Sequence, residues 1–338
     1  MKKNIFFILL VMFSLASLYS CKERPPSVRN IDVDFKLIPF YEDLFSIEPY
    51  FQNIGNEKQR LIEQYGDYFE TYCTRIIGTS PLDDEDFVKN MAFFLSYEAN
   101  QEVADTCKKY FSNLNKLEKE IKQAFKYYKY YFPETIIPDV YLHISGFNQQ
   151  AIAVDSFWVS VSIESYLGKD CVFYEWLGIY QYMRTKMTPE KIVPDIMKGL
   201  AMTDYEYNDS IDDLLSRMIY SGMILYFVKK TNPKLDEEFL MDMTSKELKW
   251  CKKFERAMWA SIVEKKHLYS TDRMIMQKYV YDAPFSYYFG QDSPGRAAHF
   301  VGLKIIESYL KRNPDVTLSQ LMTRNDYHKI FLESGYRP

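Results

Sequence analysis

The chain has 338 residues, 47% hydrophobic and 26% charged, with 29 Tyr, 24 Phe and only 12 Gly, which excludes disordered, collagenous and low-complexity proteins. A formal charge of −4 supplies no basic field and excludes nucleic acid as a partner. Few glycines and many rings predict a packed, mainly helical body.

The N-terminus pairs Lys2 and Lys3 with an apolar run from Ile5 to Leu18. The run is too short for the ~20 residues of a spanning helix and reads as a secretory signal over residues 1–20. Leu18-Tyr19-Ser20-Cys21 is similar to a bacterial lipobox, so cleavage is expected before Cys21 with acylation of its thiol. Several acyl chains at ~0.8 kcal/mol per buried methylene would hold the protein to a leaflet, whether of the inner or the outer membrane. Residues 21–36, with Pro25-Pro26, form a stiff tether, and 37–338 form a single domain without internal repeat. Cys73, Cys107, Cys171 and Cys251 share no C-x-x-C spacing, which argues against a zinc site and for buried thiols.

Ile62, Tyr65, Phe69, Tyr72, Cys73 and Ile76 recur at three and four residues and predict one helix face. Ser80-Pro81-Leu82-Asp83 predicts a capping box that opens a second helix, and Leu117, Ile121, Phe125, Tyr128 and Phe132 mark a third. The period then alternates through Val140, Leu142 and Ile144, turns at Ser145-Gly146-Phe147-Asn148, and alternates again through Val159, Val161 and Ile163. Two such runs predict a small antiparallel sheet or hairpin. Helices resume at Thr188-Pro189-Glu190, continue through Asp212 to Val228, restart at the Thr244-Ser245-Lys246-Glu247 box and again at Ser293-Pro294.

Catalytic signatures are missing from the sequence. There is no HExxH, GxGxxG, GxSxG or P-loop, and His143, His267, His299 and His328 are scattered without paired spacing. A Cys171/His143 nucleophile pair rests on nothing but a shared region of chain. Arg296, following Ser293-Pro294-Gly295, reads either as a holder of an acidic group or, preferably, as a structural ion pair.

The stretch Ser165-Tyr166-Leu167-Gly168-Lys169-Asp170 to Phe173-Tyr174, then Gln181-Tyr182-Met183-Arg184 and Met187-Thr188-Pro189-Glu190-Lys191-Ile192-Val193-Pro194-Asp195, resembles the gliding-motility lipoprotein GldB family of Bacteroidetes. Ser293-Pro294-Gly295-Arg296, Gly302 and Asn313-Pro314-Asp315-Val316 extend the resemblance over the mature chain. It implies an α+β, predominantly helical, zincin-like domain related to zinc-dependent peptidases, with its metal site lost. Laid on this sequence, the HExxH motif falls with Pro194 and Lys198 at the two His and Asp195 at the Glu, and a following Glu-Gly pair falls at Ser221-Gly222. Proline has no donor, an ammonium repels a cation and a serine hydroxyl is a poor ligand, so the resemblance implies neither metal, cofactor nor peptidase activity. Lys198 would pair with Asp195 in place of the metal's charge, or the two would form an ordinary solvated pair.

The implied role is a non-catalytic binding or scaffold component of the cell envelope, with gliding or secretion machinery proteins as partners and the membrane reached through the lipid. An atypical envelope hydrolase or a ligand-binding lipoprotein in a non-motile bacterium are the alternatives. Candidate partner contacts are the rings and cations around the two densest motifs: Tyr166, Tyr174, Trp176, Tyr180, Tyr182 and Arg184, and Tyr287, Tyr288 and Arg296.

Overall fold

The structure, a computed structural model, describes residues 24–147 and 152–338. Residues from Ile31 to Pro338 form one compact unit, and the segment before Ile31 is a separate one. Cys21 and Asn148 lie outside the described residues.

A small mixed sheet is embedded among helices. Strand β1 (Leu37–Ile38) is followed by helices α1 (Phe40–Leu44), α2 (Phe51–Tyr65), α3 (Asp67–Thr71), α4 (Phe87–Ser96), α5 (Glu98–Tyr110) and α6 (Asn115–Tyr131). Strands β2 (Asp139–His143), β3 (Ile152–Val154) and β4 (Trp158–Ser162) complete the sheet in the order β1-β2-β4-β3. The expected antiparallel pairing is corrected here: β2 runs parallel to β4, with Val140 opposite Val159 and Leu142 opposite Val161. The antiparallel partner of β4 is β3, which takes its other edge and so leaves β2 the parallel position. Val140, Leu142, Val159 and Val161 are fully buried, as strands covered on both faces require.

The 62–76 stripe is interrupted. Gly66, at φ +52°, ends α2, and the chain restarts as α3 and a π-helical turn over Tyr72–Ile76. The apolar face survives the break, with Tyr65, Phe69, Tyr72, Cys73 and Ile76 all buried. The capping box expected at Ser80 does not form. The Ser80 hydroxyl instead accepts a hydrogen bond from Asn90 Nδ2 at 2.7 Å, and the helix begins at Phe87.

The second half is helical: α7 (Val172–Trp176), α8 (Gln181–Arg184), α9 (Ile192–Asp204), α10 (Leu214–Thr231), α11 (Glu237–Met241), α12 (Ser245–Glu264), α13 (Arg273–Val280), α14 (Ala297–Arg312), α15 (Leu318–Met322) and α16 (Tyr327–Ser334). The Thr244 capping box forms as its sequence requires, with reciprocal bonds between Thr244 and Glu247 at the start of α12. Helix α10 is the hub, packed against α6, α9, α14 and α16. Its crossing with α14 is made by glycine against glycine. A Cβ on Gly302 would stand 1.9 Å from the Met218 carbonyl oxygen, and one on Gly222 2.4 Å from the Gly302 backbone. This approach lets two helices bring polar side chains to a common wall beside a buried core.

A candidate site between three helices and a buried ion cluster

The 3₁₀ turn Pro189–Lys191 leads into α9, placing Lys191, Asp195 and Lys198 at i, i+4 and i+7. Lys191 is almost completely buried. Its ammonium lies 2.5 Å from Asp242 Oδ1, a charge contact without hydrogen-bond alignment, and 3.5 Å from Asp195 Oδ1. It also donates to the Phe239 carbonyl at 2.9 Å. Arg296 Nη2 donates to Asp242 Oδ2 at 2.7 Å, and its Nε lies 3.1 Å from Asp282 Oδ1. Lys186 pairs with the same Asp282 oxygen, and Tyr166 Oη donates to Asp195 Oδ2 at 3.1 Å.

Both ends of the central pair sit in left-handed backbone. Asp242, after α11, has φ +54°, and Arg296, before α14, has φ +53°. Asp tolerates this region; Arg rarely does, at a cost of about 1–2 kcal/mol that surrounding contacts must offset.

Electrostatics split the two carboxylates. Burial alone would raise Asp242, but the charges of Lys191, Arg296 and Lys198 hold it well below the ordinary carboxylate range. For Asp195 burial prevails over Lys191, and the neighbouring Asp242 charge adds to it, so its carboxyl is raised. Burial lowers Lys191 and Arg296, but their acidic partners overcome it and both remain raised. His299 is pushed down to about 3 by burial, then by Arg296 and Lys198, and stands neutral at pH 7.

The cluster separates two cavities, with Asp242, Asp282 and Arg296 lining both. The larger, about 520 Å³, has Lys198, Ser221 and His299 beside these charged groups, and Met202, Ile224, Leu225, Met241, Val280, Tyr207, Tyr220 and Tyr281 elsewhere on its walls. The smaller, about 280 Å³, is lined also by Tyr182, Lys186, Thr244 and Gly295.

Two of the four positions marked by the HExxH alignment, Lys198 and Ser221, therefore meet at one cavity. Asp195 lines neither cavity, and Pro194 is buried in the first turn of α9. The expected Asp195–Lys198 pair is replaced: Lys191, one turn earlier, takes the carboxylate. Proline, lysine and serine offer zinc no suitable donor set. Among the described residues no three His, Cys, Asp or Glu side chains assemble into a metal-binding group.

The aromatic expectation divides. Tyr166 and Tyr174 are buried and offer no contact surface. Tyr174 Oη donates to the Glu164 carbonyl and accepts from the Leu167 N–H, both at 2.8 Å. Trp176 and Tyr180 are exposed at 69% and 68%, with Tyr182 stacked on Tyr180 at a centroid distance of 5.8 Å. Arg184 Nε donates to the Ile179 carbonyl at 2.6 Å, a brace across the loop between α7 and α8. Tyr287 is exposed beneath Lys278 Nζ at 4.5 Å, whereas Tyr288 packs on Tyr279. Arg296, grouped with the contact residues, is committed to its two aspartates, as the structural reading of it expects.

Sequence reading missed Lys186, Asp242 and Asp282 altogether. The i,i+4 spacing of Lys191 and Asp195 was the one available signal.

A second buried polar cluster crosses the sheet. His143 Nδ1 lies 2.6 Å from Ser160 Oγ, which meets Tyr68 Oη at 2.8 Å, while Glu164 Oε1 accepts from the Ser145 N–H at 2.7 Å and Ser145 Oγ at 2.9 Å. Burial raises the Glu164 carboxyl despite these bonds, and pushes His143 down to about 3. Cys171, half-buried, shows no hydrogen bond to His143, whose Nδ1 is held by Ser160; Cys73, Cys107 and Cys251 are buried thiols, none paired.

Among the described residues no helix is long and apolar enough to cross a membrane. Comparison with curated proteins and with solved structures returned no match. The family model described as "Gliding motility protein GldB" matches residues 21–338, from the expected lipidation cysteine to the last residue. The chain therefore belongs to the gliding motility protein GldB family of lipoproteins.

Proposed function

We propose that this chain is a lipid-anchored envelope component of the gliding machinery type that acts by binding other envelope proteins rather than by catalysis. The observation that carries the reading is the state of the carboxylates. Asp195, at the Glu position of the HExxH alignment, and Asp242, on the cavity wall with Lys198 and Ser221, are already held by Lys191, Arg296 and Tyr166. A metal would have to displace buried cations to reach them, and truncating one partner of such a pair typically costs about 3–5 kcal/mol. The meeting of Lys198 and Ser221 on one wall supports descent from a zincin-like peptidase whose ligands were replaced. The division into signal 1–20, tether 21–36 and domain 37–338 belongs to the same proposal.

The surface best suited to a protein partner is the segment carrying Trp176, Tyr180 and Tyr182, because exposed large rings concentrate binding energy. A photo-crosslinking residue at Tyr180 should capture an envelope protein in intact cells, and Trp176→Ala should abolish that capture. Cys21→Ala should release the protein from the membrane fraction. Stoichiometric zinc in the purified chain, together with peptidase activity, would overturn the reading.

One observation favours a hydrolase instead: two neighbouring carboxyls pushed apart in pKa are the pattern of acid–base chemistry. The raised member, Asp195, lines neither cavity, and for that reason the binding reading is preferred.

A further inference from the structure

The larger cavity contains three polar side chains that make no direct hydrogen bond or ion pair with the protein. Lys198 comes from α9, Ser221 from α10 and His299 from α14, and all three line the same space. No protein hydrogen bond or ion pair engages the Lys198 ammonium, the Ser221 hydroxyl or the His299 ring; Lys198 acts on Asp242 and Asp195, and Arg296, Lys198, Asp242 and Asp282 act on His299, only through charge at longer range. The crossing places two of the three: Ser221 adjoins Gly222 and His299 precedes Gly302 by one turn, and these glycines meet where α10 and α14 cross.

Charge accounting shows what is missing. Asp195, Asp242 and Asp282 are matched by Lys191, Arg296 and Lys186, and Arg217 is held by Asp212 at 2.6 Å. Glu206 is exposed. Lys198 is thus the cation of this wall without a direct ion pair, its charge reaching Asp242 and Asp195 only at longer range, and it stands half-buried beside the apolar side chains of the cavity. An ammonium with a neutral imidazole N–H and a hydroxyl fits an oxyanion, since each supplies a proton where an anion supplies lone pairs. The Lys198 ammonium repels a cation from this point.

We propose that the cavity binds a small amphipathic anion, a carboxylate or phosphate head on an apolar body, with Lys198, Ser221 and His299 holding the head and the walls around Ile224 and Tyr220 holding the body. This goes beyond the protein-binding role, and its failure would leave crosslinking at Tyr180 unaffected.

The test is calorimetric titration of the full chain in phospholipid nanodiscs, against empty nanodiscs, with octanoate, octyl phosphate and octanol. The two anions should bind saturably and octanol at least about tenfold more weakly, in keeping with a charge-assisted contact. The tighter of the two anions identifies the head group. Lys198→Met should weaken both anions at least about tenfold and leave octanol unchanged, and Ser221→Ala should weaken them less. Equal binding of octanol and octanoate, retention of octanoate by Lys198→Met, or no saturable binding of any probe would each overturn the proposal. Should Lys198→Met fail to fold, as judged by its melting curve, the octanoate-to-octanol ratio of the wild-type chain decides alone.

Discussion

Two buried polar clusters occupy this molecule and solve the same problem in opposite ways. The sheet cluster, from Tyr68 through Ser160 to His143 and from Ser145 to Glu164, is built from groups whose charged forms burial disfavours: burial raises the carboxyl of Glu164 and lowers the imidazole of His143. The helix cluster keeps its charges, pairing Lys191 and Arg296 with Asp242, and accepts left-handed backbone at Asp242 and Arg296 to do so. Groups sealed in a sheet serve packing; the paired charges of the helix cluster hold one another beside two cavities and leave Lys198, outside these pairs, on the wall of the larger. The difference teaches which cluster to examine for function, because a low-dielectric interior tolerates charge only where fixed partners or a bound group compensate it.

The largest effect should come from breaking the charged cluster. Asp242→Asn preserves shape and suits left-handed backbone, but leaves Lys191 and Arg296 uncompensated; urea unfolding at pH 7 should show a loss of about 3–5 kcal/mol. Asp242 lies below its ordinary 3.8, so its contribution is complete above that value and is lost as pH falls through its folded pKa. The gap between wild type and Asp242→Asn should therefore narrow in acid. A gap independent of pH would refute the assignment of an ionised Asp242.

Next in size is the frame on which that cluster and its cavity depend. Gly302→Ala forces a Cβ against the Met218 carbonyl and should cost about 1–3 kcal/mol by the same unfolding measurement, with the α10–α14 crossing forced apart. Unchanged stability would mean that the two helices do not meet so closely in solution.

The sheet cluster should respond in the opposite sense to pH. Glu164 lies above its ordinary 4.5, so its contribution is complete below that value and declines as pH rises through its folded pKa. Glu164→Gln, which keeps the shape without the ionisation, should change stability by no more than about 1 kcal/mol at pH 5 and gain on the wild type as pH rises. A mutant that falls behind at higher pH would show Glu164 to be a stabilising carboxylate, and the contrast between the clusters would disappear.

The smallest effect on folding belongs to the exposed rings. Trp176→Ala and Tyr180→Ala should alter unfolding free energy by less than about 0.5 kcal/mol, while removing partner capture in cells. A large loss of stability would reassign these rings from surface to core.

Much of the helical body was readable from local signals. Thr244 with Glu247 forms the capping box its spacing specifies, and the stripe of Leu117, Ile121, Phe125, Tyr128 and Phe132 is buried as its period requires. Ser80 shows where local reading fails: its hydroxyl accepts from Asn90, a residue inside the helix that Ser80 was expected to cap. The direction of β2 against β4 was equally hidden, because β3 takes the second edge of β4 and nothing in either alternating run records that insertion. For the site, Lys198 and Ser221 were singled out only by the expected resemblance to zinc peptidases, and the approach of Ser221 to His299 depends on a glycine crossing between helices far apart in sequence.

The sequence by itself determined the helical character of the domain and the family to which the chain belongs, because these rest on local pattern and motif. The tertiary structure alone decided that Tyr166 and Tyr174 are core while Trp176 and Tyr180 are surface, all within one aromatic-rich stretch. It also decided that Asp242 and Arg296 pair across 54 residues of chain, leaving Lys198 without a direct ion pair. Burial and ion pairing are set by which groups the folded chain brings within a few ångströms, a distance that sequence separation does not encode.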